Sequence, residues 1–102
     1  MRNLKDKILY CLTTKPETRN SDIKLTNFFW IHYYPEKIFQ NDKKEFCVRL
    51  LDLYDLPTED SIKRVRAVIQ NVDGVCLPTD ENVRKQRKIS EEKWREYLGY
   101  NN

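Results

Sequence analysis

The stretch that most restricts the fold of this chain runs from residue 53 to residue 71. An apolar pattern ends at Leu56, Pro57 opens a polar turn, and Thr58, Asp60 and Ser61 each carry an oxygen able to cap a new helix. Beyond them Ile62, Val65 and Ile69 recur at spacings of three and four, which puts them on one helical face directed at a core. Lys63, Arg64, Ala67, Gln70 and Asn71 take the opposite side, with Arg66 at the border. An apolar-striped helix is expected to end just before this turn.

The outward side chains of this helix are of the types that read base edges. Arg and Lys pair with guanine, and Gln and Asn pair with adenine. The segment is therefore expected to be the recognition helix of a helix-turn-helix, with Ser61, Lys63, Arg64, Arg66, Ala67, Gln70 and Asn71 facing DNA. The competing account is an ordinary amphipathic helix with a solvated basic side. The charge distribution bears on the choice. The chain has a net charge of +3, yet residues 1–60 are neutral, with ten Lys/Arg and ten Asp/Glu. The whole excess lies in residues 61–102, gathered at 63–66 and 84–88. Arg84, Lys85, Arg87 and Lys88 are expected to touch phosphates beside the recognition helix.

The rest of the chain predicts a mainly α fold. Leu4, Ile8, Leu9, Cys11 and Leu12 share one face of a first helix over residues 3–14. A polar link with Pro16 leads to Asn20, Ser21 or Asp22 as the cap of a second helix rich in aromatics, including Phe28, Phe29, Trp30, Tyr33 and Tyr34. His32 falls in register with Leu25 and Phe28, and is expected to be a hydrogen-bonded structural histidine on the inner face. Pro35 stops that helix, residues 36–43 read as a polar link, and a third helix is expected from about residue 44 to Tyr54. Residues 72–79 hold Asp73-Gly74 between apolar residues, a hairpin signal. They are expected to form a small wing, with Val75 and Leu77 packed inward or paired with a strand near residues 82–89. Ser90 would then cap a final helix ending at Gly99, seated by Trp94, Tyr97 and Leu98. The expected architecture is thus one winged helix-turn-helix domain over residues 1–102. It has a three-helix core, a small β-hairpin wing and a C-terminal helix, with residues 82–102 making the wing end and that helix.

Several motifs occur together: Pro16-Glu-Thr-Arg-Asn-Ser-Asp22, Trp30, the run from Leu56 to Asn71, and Gly74 followed by Leu77-Pro78. In this combination the chain resembles small bacteriophage and prophage proteins of winged-helix type, over about residues 4–95. Those proteins are mostly uncharacterised, so the resemblance implies a phage setting and a winged-helix fold. Cys76 departs from the pattern, since an aromatic or polar residue is expected in the wing there.

Other classes find less support. Cys11, Cys47 and Cys76 have no close pair and no zinc spacing, so buried free thiols are expected, with no metal and no other cofactor. No glycine-rich phosphate loop or nucleophile–histidine pairing is present. The acids Asp52, Asp55, Glu59 and Asp60 are accounted for by helix and cap roles, so an enzyme is not expected. The first residues carry no apolar stretch of signal-peptide type, and no run is long enough to span a bilayer, which predicts a cytoplasmic protein away from membranes. The expected partner is double-stranded DNA. The alternative is a module that binds and inhibits a host protein through the same fold, and a homodimer formed by the C-terminal tail is a further expectation.

Overall fold

A computed structural model of the chain describes residues 3–97. The protein is mainly helical, with one small two-stranded antiparallel hairpin. Its helices are α1 (Leu4–Thr14), α2 (Asp22–Tyr33), α3 (Leu50–Leu53, a single turn), α4 (Glu59–Asn71) and α5 (Glu81–Tyr97). Strands β1 (Ile38–Gln40) and β2 (Phe46–Val48) form the hairpin, and short 3-10 turns occupy Pro16–Asn20 and Pro35–Lys37.

The apolar stripes of α1, α2 and α4 meet as expected, whereas the stripe expected on a third helix over residues 44–54 is not buried. Ile8, Cys11 and Leu12 of α1, Leu25 and Phe29 of α2, and Ile62 and Ile69 of α4 are fully buried against one another. Leu56, just before α4, is also buried. Each of these helices starts on a side-chain cap. Asn3 accepts from the Asp6 amide at 2.8 Å, Ser21 from Lys24 at 3.3 Å, and Thr58 from Ser61 at 3.1 Å. Of the three cap candidates before α4, Thr58 is the one used.

The segment between α1 and α2 is a helix-ending device. Thr18 donates its hydroxyl to the Lys15 carbonyl at 2.6 Å, and the Arg19 Nε donates to the Leu12 carbonyl at 2.8 Å. Carbonyls in the last turn of a helix have no partner within it, so these bonds stabilise the end of α1 before the chain reverses.

Four local expectations give way. The helix expected from residue 44 to Tyr54 is strand β2 followed by the single turn α3. The reason lies in Asn41, whose Oδ1 accepts from the amides of Lys43 and Glu45, both at 2.9 Å. With Lys44 at φ 63°, this closes a tight turn and returns Phe46 opposite Gln40 and Val48 opposite Ile38. The hairpin therefore lies between α2 and α4, whereas it was expected after α4.

Residues 72–79 form no strand. Gly74, at φ 68°, ends α4: the Asp73 amide donates to the Val68 carbonyl at 3.1 Å and the Val75 amide to the Ile69 carbonyl at 3.2 Å. The Asp-Gly pair serves as a helix terminus, and no strand near residues 82–89 exists to pair with. That basic segment forms the first turns of α5 instead. Asp80 receives the Asn82 amide at 2.8 Å, so α5 begins well before Ser90, which lies inside the helix. His32 is exposed, set among rings with Phe28 at 5.6 Å and Tyr10 at 5.2 Å, and not on the inner face. The side chains of Trp94 and Tyr97, together with Leu98 and Gly99, lie outside the described residues.

Candidate nucleic-acid interface

The two basic segments do meet, but only some of their side chains face outward. On α4, Ser61, Lys63, Arg64 and Asn71 are exposed and Ala67 is half-buried. Arg64 forms an ion pair with Asp60 one turn earlier at 3.0 Å, both on the surface. Such a pair adds a few tenths of a kcal/mol, about 0.3–0.5, and leaves the guanidinium free to exchange partners.

Arg66 and Gln70 are different. Both are buried, so the expectation that Gln70 lies on the open side and Arg66 at its border is corrected. The guanidinium of Arg66 donates to both carboxylate oxygens of Asp22, at 2.9 and 3.1 Å, in the fork geometry that suits arginine. Its third contact is the Gln70 Oε1 at 3.3 Å. Gln70 also donates its Nε2 to the Cys76 carbonyl at 2.8 Å. That bond holds Cys76 at φ 52°, a left-handed conformation that a non-glycine residue seldom adopts. A side chain committed in this way cannot turn outward to read a base without leaving buried partners unsatisfied.

The same network receives α5. Arg87 donates to the Gln70 Oε1 at 3.1 Å and to the Arg19 carbonyl, and its other nitrogen lies 3.9 Å from Asp22. Two guanidiniums thus share one carboxylate. Burial, and then the charge of Arg66, lower the pKa of Arg87 from its usual value, with Asp22 opposing them. Asp22, read from the sequence only as a possible cap, is the counter-ion that joins three helices. Nothing local marks it for this role, because its partners lie 44 and 65 residues further along the chain.

Gln70 and Arg87 of this network also line a cleft of about 320 Å³, walled further by Asn71, Leu77, Pro78, Arg84 and Lys88. Arg84 is held in place by donating its Nε to the Pro78 carbonyl at 2.6 Å, which leaves its terminal nitrogens available. Lys85 and Lys88 are exposed. The helix repeat places Arg64 and Asn71 on the same side of α4, two turns or about 10 Å apart. The open stripe of α4 therefore runs into the cleft. The positive field comes from α5 and the cleft, since Glu59 and Asp60 offset Lys63 and Arg64 at the start of α4.

Among the described residues no set of three His, Cys, Asp or Glu side chains could hold a metal ion, and no helix is long and apolar enough to cross a membrane. No protein-family model, curated protein or solved structure matches the chain.

Proposed function

We propose that the chain binds duplex DNA, using the exposed stripe of α4 for the groove and the first turns of α5 for the backbone. The observation that carries this reading is the cleft, where Asn71 stands beside Arg84, Arg87 and Lys88 from a segment more than a dozen residues away. A cleft lined by Arg84, Arg87 and Lys88, with no carboxylate among the described residues of its wall, attracts a polyanion, and neutralised phosphates release their counter-ions. The architecture in this proposal is a relative of the winged helix-turn-helix, with α1, α2 and α4 as its three-helix core. The ribbon is inserted ahead of the reading helix. A bacteriophage setting, a role in transcriptional control and a place in the host cytoplasm belong to the same proposal, which requires no catalysis.

Base contact falls to Ser61, Lys63, Arg64, Ala67 and Asn71, and phosphate contact to Arg84, Lys85 and Lys88. Arg66, Gln70 and Arg87 hold these groups in place. Titrating a fluorescent duplex against salt tests the division. Affinity should fall steeply as salt rises. Replacing Arg84 or Lys88 by alanine should weaken all sequences alike, each lowering the salt slope by about one. Arg64→Ala and Asn71→Ala should alter which sequences are preferred. An affinity that does not respond to salt, or slopes unchanged in both α5 variants, would remove the proposal.

A second reading, a protein-binding module, is favoured by one feature: large apolar side chains exposed along residues 39–54.

A further inference from the structure

Between Phe29 and Leu56 no residue is fully buried. This excursion holds the hairpin and α3, and it is not polar. Leu51 is 83% exposed, Tyr54 82%, Leu50 71% and Phe46 64%, with Phe39 at 48% and Leu53 at 38%. Exposed apolar residues scattered singly need no explanation, but six within sixteen consecutive positions do. Phe39 lies on the other face of the hairpin from Phe46, since Phe39 pairs with Cys47 and Phe46 with Gln40. With side-chain areas of roughly 200 Å² each, Phe46, Leu50, Leu51 and Tyr54 leave on the order of 600 Å² uncovered, what one partner contributes at the lower end of the range for a stable interface.

Two apolar shapes occur within this stretch. One is a groove of about 260 Å³ between α2 and the hairpin, lined by Trp30, Ile31, Ile38, Phe46 and Val48. The other is the single turn α3, none of whose residues is buried, flanked by Tyr54. The molecule therefore carries both an apolar knob and an apolar recess. Residues 36–55 contain four Lys/Arg and five Asp/Glu, and Lys37 is already engaged with Asp55 at 3.2 Å. A surface so close to neutral neither draws a nucleic acid nor repels its own copy. Two-fold association requires that whatever contacts the recess be present on the same chain, and here it is.

We propose that the chain forms a two-fold dimer in which Leu51 and Tyr54 of each copy seat in the groove between α2 and the hairpin of the other. This pairing is independent of the DNA reading and uses the opposite stretch of sequence from the C-terminal tail. Sedimentation of the full chain over a micromolar concentration series tests it. The wild type should sediment as two chains. Leu51→Asp, which alters the knob, and Phe46→Glu, which alters the recess, should each be monomeric, with dissociation constants raised at least about tenfold. Both positions are exposed, so the monomers should still unfold cooperatively, at the midpoint that wild type approaches on dilution; Tyr54→Asp and Ile31→Glu replace either variant that fails to fold. Mixing the two monomeric variants should restore dimers, because one of the two seatings in the mixed pair is intact. A monomeric wild type overturns the proposal and leaves the surface to a foreign protein. Dimers that survive both substitutions overturn it as well, by placing the contact elsewhere. A mixture that stays monomeric overturns the reciprocal seating.

Discussion

Cys11 shows how burial alone sets the chemistry of a residue. It is fully enclosed in the core, and loss of water pushes its thiol up to about 12 from an ordinary 9.0. In the unfolded chain the thiolate forms near 9, while in the fold it forms only near 12. Between those values the unfolded chain holds fewer protons, so stability must fall as pH rises through that window. The contribution is fully present below pH 9. Cys11→Ala should flatten the alkaline limb of a stability–pH curve by about 1.4 kcal/mol per pH unit relative to wild type. The same burial makes Cys11 the slowest thiol. In a labelling time course Cys47 and Cys76, both half-buried, should react in the native protein, and Cys11 only as fast as the fold opens. Thr26 presents the reverse case, a buried hydroxyl in α2 with no hydrogen-bond partner among the described residues. Thr26→Val keeps the shape and removes that cost, so the melting temperature should rise, by about 1 kcal/mol in stability. A lower one would mean that the hydroxyl is satisfied in solution.

At the level of elements, the decisive join is the one that links α2, α4 and α5 through Asp22, Arg66, Gln70 and Arg87. Apolar packing holds α1, α2 and α4 together, as the contiguous core shows. The described polar contacts of α5 with the rest of the molecule include Arg87 on Gln70 and Arg84 on Pro78. Arg66→Met removes one partner of a buried ion pair and leaves the other desolvated, so it should destabilise the fold by about 3 kcal/mol. It should also raise hydrogen exchange in the first turns of α5 more than in α1, because Gln70 loses its second donor. Equal protection loss in both helices would show that α5 is held by other means. The hairpin repeats the lesson on a smaller scale. One asparagine side chain with two backbone bonds decides that residues 38–48 are a ribbon.

Over the whole molecule the surface divides into two kinds. The side formed by the end of α4 and the start of α5 is cationic and polar, and the side formed by the hairpin and α3 is apolar and close to neutral. The first suits a polyanion and the second suits a protein surface. Leu51→Asp, which acts only on the second, should leave the salt dependence of binding to a single short duplex half-site unchanged. Arg84→Ala, which acts only on the first, should leave the sedimenting mass unchanged. Cross-effects in both directions would mean that the surfaces are continuous.

Helix periodicity and capping residues were enough to place α1, α2 and α4 and to name their buried aliphatic side chains Ile8, Leu12, Leu25, Ile62 and Ile69, because the repeat of 3.6 residues is a local property of the chain. The clustering of charge near residues 63–66 and 84–88 was legible for the same reason. What no local pattern contains is the partner of a side chain. By spacing Gln70 looks outward and Arg66 lies at the border, and only the arrival of Asp22 and Arg87 from distant segments turns them into the buried join of three helices. Asp73-Gly74 suits a hairpin and a helix end equally well, and the choice depended on whether a second strand was there to pair. Tertiary structure decided both, since a hydrogen bond or an ion pair belongs to two residues and a sequence window holds only one of them.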